Sequence, residues 1–293
     1  MRDLLTPRQA ADYLGVSEST VRRWCDRALL PMTRTSGKHR RIARGDLIAF
    51  ARRQGLLAPD EGDVASAAGR GGRLASTIEL SNRLFAAMVA LDDRSIRSLL
   101  IKAMQGAMAP AVLCDQVIAP AMHRLGDAWI HGSVQVFQEH AASEAIRDSL
   151  AHTRALLPDP AADAPVAITA ALSDDPYSLA PAMAAFVLQA EGYRAVLLGV
   201  DTPAVELGRA VRDHDGRLLA ISVGGFQDAT KLAEDLNLAI AGALDCGARV
   251  AVGGLGLDSK LRSKICPDFF GDTMSHLASF AARTLPGASA AAR

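Results

Sequence analysis

The chain has 293 residues and a formal net charge of zero, yet residues 1–55 hold 12 Lys/Arg against 5 Asp/Glu while the remainder holds 20 against 27. A hydrophobic fraction of 49% with 22% charged residues excludes a largely disordered chain, and no uncharged apolar run reaches the ~20 residues that span a bilayer. The charge split points to a nucleic-acid-binding head on an unrelated body, and the length predicts two or three domains.

The N-terminal MRDLLTPRQAADYLG lacks the apolar core of a signal peptide, so a cytoplasmic location with no membrane partner is expected. Thr6-Pro7-Arg8-Gln9 reads as a helix start: Thr6 caps, Pro7 suits the first helical position, and Gln9 reaches back in a capping box. Gly15 ends this helix, and Ser17 caps a second, ESTVRRWCDRALL. Ala10, Leu14, Val16, Val21 and Trp24 fall where they would share a small core, while Glu18, Ser19, Thr20, Arg22, Arg23 and Arg27 lie on the opposite face. The N-terminal part of such a helix enters the major groove, where Arg bonds guanine bidentately. In PMTRTSGKHRRI (31–42), Ser36-Gly37 reads as the turn of a hairpin carrying Arg34, Lys38, His39, Arg40 and Arg41, whose cations suit phosphates. GDLIAFARR (45–53) closes the block as a third helix. Residues 1–55 resemble the winged helix-turn-helix domain of the MerR and excisionase type. The resemblance implies operator DNA as partner, with contacts from Ser17, Ser19, Thr20, Arg22, Arg23, Arg27, Arg34, Lys38, His39, Arg40 and Arg41.

Residues 56–73 are rich in Ala, Gly and Asp without apolar periodicity and read as a linker. Residues 74–157 carry apolar-periodic segments near 76–91, 93–106, 109–131 and 134–156, which predict a four-helix bundle. PDPAADAP (158–165) reads as a second linker. Beyond it VAITAAL (166–172), RAVLLGV (194–200), LLAISVG (218–224) and ARVAVGG (248–254) read as buried strands, with helices near 177–191, 203–213 and 228–244. This alternation predicts a Rossmann-like, flavodoxin-like parallel sheet domain over 166–285, followed by a tail at 286–293. The fold class is thus multidomain α and α/β. Cys25, Cys114, Cys246 and Cys266 are scattered and form no CxxC pair, so neither a metal site nor a disulfide framework is expected.

The loop SDDPYSLA (173–180) follows the first strand, at the end of a parallel sheet where ligands bind. It is similar to the cobalamin-binding signature Asp-x-His-x-x-Gly, later Ser-x-Leu, later Gly-Gly: Asp175, Tyr177 and Ala180 fall on the first part, Ser222-Val223-Gly224 on the second, Gly253-Gly254 on the third. The cobalt-ligating His is Tyr177, the first Gly is Ala180, and the Leu is Gly224. Imidazole is a good cobalt ligand and a neutral phenol a poor one, so lower-face His ligation is excluded. The bundle carries Trp129 and then Glu139-His140, the Trp-x9-Glu-His pattern that resembles the cap over the upper cobalamin face. The His that directly follows the Trp in light-responsive members is Ile130 here, with His131 one residue late.

The order of parts resembles the CarA/CarH/LitR family of MerR-type regulators over nearly the whole chain. The resemblance implies a transcription regulator, a repressor, whose oligomeric body senses a small molecule between bundle and sheet through Trp129, Glu139, His140, Asp175, Tyr177, Ser222, Gly253 and Gly254. The candidate ligands are cobalamin without that His, another tetrapyrrole, or a nucleotide-like molecule. Expected partners are operator DNA, further copies forming a dimer or tetramer, and RNA polymerase or an antirepressor protein. Two alternatives stand beside this: a ligand-independent regulator with a vestigial site switched by a protein, and a corrinoid-dependent enzyme subunit. No Ser-His-Asp set, Walker loop or HExxH motif supports the last, so no catalytic residue is assigned.

Overall fold

The computed structural model of the protein describes residues 4–14, 18–26, 29–34, 40–43, 46–47, 50 and 67–285. Contacts divide the chain into two compact units, Met1–Ala90 with Gln116–Glu139, and Leu91–Asp115 with His140–Arg293.

In the first unit the capping box forms in both directions. Thr6 Oγ1 accepts the Gln9 N–H at 3.1 Å, and Gln9 Oε1 accepts the Thr6 N–H at 2.9 Å. Helix α1 (Pro7–Leu14) and helix α2 (Glu18–Asp26) follow in the expected order. Strands β2 (Thr33–Arg34) and β3 (Arg40–Ala43) pair antiparallel as the expected hairpin. A two-residue strand, β1 (Leu4–Leu5), pairs with the other edge of β3. Two residues carry too little periodicity to announce a strand. Asp46, Leu47 and Phe50 are helical, and the rest of the expected third helix lies outside the described residues. Ala10, Val21, Leu30, Ile42, Leu47 and Phe50 form the buried core, with the Trp24 and Phe50 rings 4.9 Å apart. Val16 and the Leu14 side chain lie outside the described residues.

Helix α3 (Ala67–Val89) begins inside the segment expected as a linker, so 67–73 is helix despite its glycines, while 56–66 lies outside the described residues. Three Gly in that stretch lower helix propensity, and the length of the apolar-periodic run beyond them carries the helix through. Helix α3 is joined to a later helix of the same unit: the Arg124 guanidinium sits 4.2 Å above the Phe85 ring and donates to Asn82 Oδ1 at 2.6 Å.

The second unit opens with α4 (Asp93–Gln105), capped by Asp92, whose carboxylate accepts the Ser95 N–H at 3.0 Å. The single helix expected over 109–131 is three pieces, the last of them in the first unit: α5 (Pro110–Leu113), a π turn (Cys114–Ile118) and α6 (Ala119–Ile130). Pro120 has no N–H to give to the preceding turn and its ring crowds that turn's carbonyl, which a locally widened π turn accommodates. The π turn also aims Asp115 at α12 (Met274–Thr284), where its carboxylate accepts the Met274 and Ser275 N–H at 2.7 and 2.8 Å. Helix α7 (Val136–Arg154) passes from one unit to the other between Glu139 and His140.

Five parallel strands follow: β4 (Val166–Leu172), β5 (Arg194–Thr202), β6 (Gly216–Ser222), β7 (Arg249–Gly253) and β8 (Phe269–Gly271). Their order is β5-β4-β6-β7-β8, the flavodoxin-like arrangement. The crossover helices are α8 (Leu179–Ala190), α9 (Ala204–Asp213), α10 (Ala229–Leu244) and the short α11 (Ser259–Arg262). All seven residues of β4 are buried because helices cover both faces. Val166, Ile168, Ala170 and Leu172 pack with Leu207, Leu236 and Ile240 on one side, while Ala167 packs with Leu188, Tyr193 and Phe280 on the other. Sequence reading missed β8, α11 and α12; three residues of strand and one turn of helix are too short for a period, which the 11 residues of α12 are not. The chain leaves β4 toward β5 and returns to β6 on its other side. The carboxyl ends of β4 and β6 are therefore the switch point, where open sheets take ligands.

Candidate functional site

The head offers one candidate surface. On α2, Arg22 is exposed and Arg23 is half-buried. The Ser19 and Thr20 side chains, and the Arg34 side chain on β2, lie outside the described residues, as do Ser17, Arg27, Lys38 and His39 altogether. Arg40 is not a free cation: its guanidinium donates to Asp26 Oδ1 at 2.5 Å and is only 23% exposed. This ion pair ties β3 to the C-terminal end of α2. Arg41 donates to the Arg40 carbonyl at 3.1 Å. Sequence reading missed Asp26, because a carboxylate near arginines reads as ordinary surface until the hairpin folds back onto α2.

The sheet offers a second surface at the switch point. Asp175 is buried, and its carboxylate accepts the Tyr177 N–H at 3.1 Å and the Gly224 N–H at 2.6 Å. It thereby staples the loop after β4 to the loop after β6. Asp174, in the left-handed region at φ +68°, is held on two sides: its N–H donates to Asp201 Oδ1, and its carboxylate pairs with Lys231 Nζ at 2.6 Å. That carboxylate raises the Lys231 pKa above the ordinary lysine value. Asp201 and Lys231 were not foreseen, since neither stands in a recognisable pattern.

Tyr177 lies across Gly224 and Gly225. A Cβ added at Gly224 would sit 2.7 Å from Tyr177 Cδ2, and one at Gly225 would sit 2.9 Å from Cε2. The ring is nevertheless 58% exposed, so one face is packed and the other open. Phe226 and Leu255, on the neighbouring loops, are also exposed. Ser222 Oγ faces the Ala170 carbonyl at 3.5 Å. Gly253 and Gly254 are filled from within: a Cβ at Gly253 would meet the Gly271 carbonyl oxygen at 2.4 Å, and one at Gly254 the Val223 oxygen at 2.3 Å. Gly254 also has φ +120°, which L side chains rarely adopt.

These residues do not fit a cobalamin bound from this edge through a lower histidine. The ligand position holds a phenol, and the glycine hollows are taken by the chain's own tyrosine and backbone.

Among the residues expected in the bundle, Trp129 is 46% exposed at the end of α6, with exposed Ile130, Val136 and Phe137 nearby in sequence. Glu139 is half-buried and His140 exposed, both on α7. Glu139 belongs to the first unit, with Trp129, and His140 to the second, with Asp175, Tyr177, Ser222, Gly253 and Gly254.

Residues 4–55 match the family described as "Helix-turn-helix domain", and residues 80–153 match the family described as "B12 binding domain". The chain carries a helix-turn-helix domain and a domain of the B12-binding type. Over 263 residues it is 27% identical to the HTH-type transcriptional repressor CarH of Myxococcus xanthus, spanning 84% of this chain and 87% of the relative. Over 264 residues it is 28% identical to the repressor CarA of the same organism, spanning 87% and 88%. The monomethylamine corrinoid protein of Methanosarcina barkeri shares the fold over 70% of this chain and 98% of its own, at 17% identity and a TM-score of 0.57. The helix-turn-helix domain and the repressor relatives support a regulator rather than an enzyme. No helix among the described residues is long and apolar enough to cross a membrane.

Proposed function

We propose that this chain is a cytoplasmic DNA-binding transcription regulator, acting as a repressor, whose head grips operator DNA and whose body oligomerises and responds to a small molecule. The observation that carries the reading is the capped helix-turn-helix with its hairpin in a basic segment, carried on one chain with a Rossmann-like sheet and similar over most of its length to two repressors. Arg22 reads a base edge from α2, and Arg23, Ser19 and Thr20 lie beside it on the same helix. Arg34, Lys38, His39, Arg40 and Arg41 of the hairpin contact phosphates, and Ser17 and Arg27 complete the DNA-contacting set.

In the body, Trp129, Glu139, His140, Asp175, Tyr177, Ser222, Gly253 and Gly254 are the residues assigned to ligand response. Cobalamin held without lower histidine ligation, another tetrapyrrole and a nucleotide-like molecule are the candidate classes. Ligand control requires differential affinity: a molecule that binds one oligomer better than another shifts the population toward it and so shifts operator occupancy. No step runs through cobalt chemistry.

Arg22→Ala and Arg23→Ala test the head. Each is expected to weaken operator binding by ~1–3 kcal/mol where it makes a bidentate base contact, read by fluorescence anisotropy at fixed salt. Unchanged affinity in both variants refutes this recognition helix.

A second reading is favoured by the packing of Tyr177 on Gly224 and Gly225: the sheet edge is vestigial as a ligand site and a protein partner, an antirepressor, does the switching. A full chain whose operator affinity ignores cobalamins, haem and nucleotides, and yields to a copurifying protein, supports it.

A further inference from the structure

We propose that Tyr177 and the Gly224–Gly225 backbone form a built-in plug at the switch point of the sheet, a matched pair that excludes any ligand group inserted between β4 and β6. The inference deepens the second reading above, in which the sheet edge takes no ligand, and it stands on contacts that do not depend on that reading.

Three observations converge. The first is position. The carboxyl ends of β4 and β6 are where the strand order reverses, and this is where an open parallel sheet has its crevice. Tyr177 comes from the loop after β4, and Gly224 from the loop after β6.

The second is contact. The Cβ that Gly224 lacks would fall 2.7 Å from Tyr177 Cδ2 and 2.9 Å from its Cβ, closer than side-chain carbons approach one another. At Gly225 the corresponding distance to Cε2 is 2.9 Å. Two successive residues without side chains thus form the seat of one ring. A leucine at Gly224, as the cobalamin-binding signature has, and a tyrosine at Tyr177 cannot both occupy this space. The two departures from the signature are one exchange: the phenol ring takes the room that the leucine gives up.

The third is restraint. Asp175 is buried and accepts N–H groups from Tyr177 itself and from Gly224, so the two sides of the contact are tied by one carboxylate. Asp174 adds an ion pair to Lys231 at the start of α10 and accepts no freedom from its own backbone, which is bonded to Asp201. Opening the crevice would require breaking the Asp175 bridge and lifting the ring. The remaining hollows of the edge, at Gly253 and Gly254, are occupied by the Gly271 and Val223 carbonyl oxygens.

The pairing predicts coupling. In the full-length chain, Gly224→Ala is expected to lower Tm by at least ~3 °C, because the new methyl overpacks against the ring. In the Tyr177→Ala background the same Gly224→Ala change is expected to cost less than ~1 °C, because the ring is gone. Gly225→Ala should behave in parallel and serves where Gly224→Ala yields too little folded protein. Equal shifts in both backgrounds overturn the plug.

A second readout tests exclusion directly. The full chain is mixed with hydroxocobalamin, passed through a desalting column, and its visible spectrum recorded. The wild type is expected to show no spectrum of cobalamin whose own base has been displaced from cobalt. A displaced-base spectrum on the wild type overturns the plug whatever the stability cycle gives, and it leaves the small-molecule reading standing. Coupling in the cycle together with indifference of operator binding to every ligand class upholds the plug while removing the small-molecule reading.

Discussion

At the scale of single residues, Arg40 shows how a cation acquires two competing assignments. Its place in a basic hairpin makes it a phosphate contact, whereas its bond to Asp26 makes it a strut between β3 and α2. Exposed ion pairs contribute little because solvent screens them and both side chains lose freedom, and Asp26 remains 55% exposed. The pair should therefore matter more for where the hairpin sits than for global stability. Asp26→Ala is expected to lower operator affinity by roughly threefold through loss of hairpin position, with the salt dependence of binding unchanged. Arg40→Ala is expected to lower affinity and also to reduce the slope of log K against log salt by about one, as one phosphate contact is lost. The double variant should bind no more weakly than Arg40→Ala alone. Titrations at several salt concentrations read all three, and a slope unaffected by Arg40→Ala assigns that residue to the strut only.

At the scale of elements, the ends of helices decide much of the architecture, and their titration is testable. Asp92 caps α4, and Asp228 caps α10 by accepting the Thr230 and Lys231 N–H groups. Hydrogen bonds to the ionised carboxylate hold both pKa values below the ordinary aspartate range. An acid whose folded pKa is depressed contributes stability that is present above its unfolded pKa and disappears as pH falls through the folded one. Asp228→Ala is therefore expected to lower Tm by a constant amount between pH 5 and pH 8, and by progressively less as pH falls below about 4 toward the depressed pKa of the folded cap, past which the wild-type carboxylate is protonated as well. Thermal melts across that range give the difference curve, and a difference that persists undiminished in acid rejects the cap assignment. Such ends were readable where they obeyed a local pattern. Thr6 and Gln9 announced their reciprocal bonds, and the apolar runs at 166–172 and 218–224 announced β4 and β6. The π turn at Cys114–Ile118 was not readable, because its consequence, Asp115 capping α12, depends on a helix more than 150 residues away in sequence. Likewise Tyr177 stood out as a missing histidine, but its seat on Gly224 and Gly225 could be known only once two loops met.

At the scale of the whole molecule, the division of charge sets the terms of binding. Residues 1–55 carry the excess of Lys/Arg and the body the excess of Asp/Glu, so the field that draws the head to DNA is opposed by the mass attached to it. A head with one short recognition helix contacts few base pairs, and single modules of this size bury too little surface for tight specific binding. Linking heads through an oligomeric body makes the second engagement intramolecular, which raises affinity by roughly 10²–10⁴ when the half-sites match the spacing of the heads. Full-length protein is therefore expected to bind a DNA with two half-sites one helical turn apart at least ~100-fold more tightly than a single half-site, and to lose that gain when half a turn is inserted between them. Trp129→Ala should reduce the two-site gain or its response to ligand, and leave the single-site affinity intact, if the exposed indole serves the body alone. Anisotropy titrations on the three DNAs at one salt concentration, with light scattering to record the oligomer, separate these effects. Affinity indifferent to the number and spacing of half-sites would mean that the body contributes nothing to recognition, and the acidic excess it carries would then only weaken the head's hold on DNA.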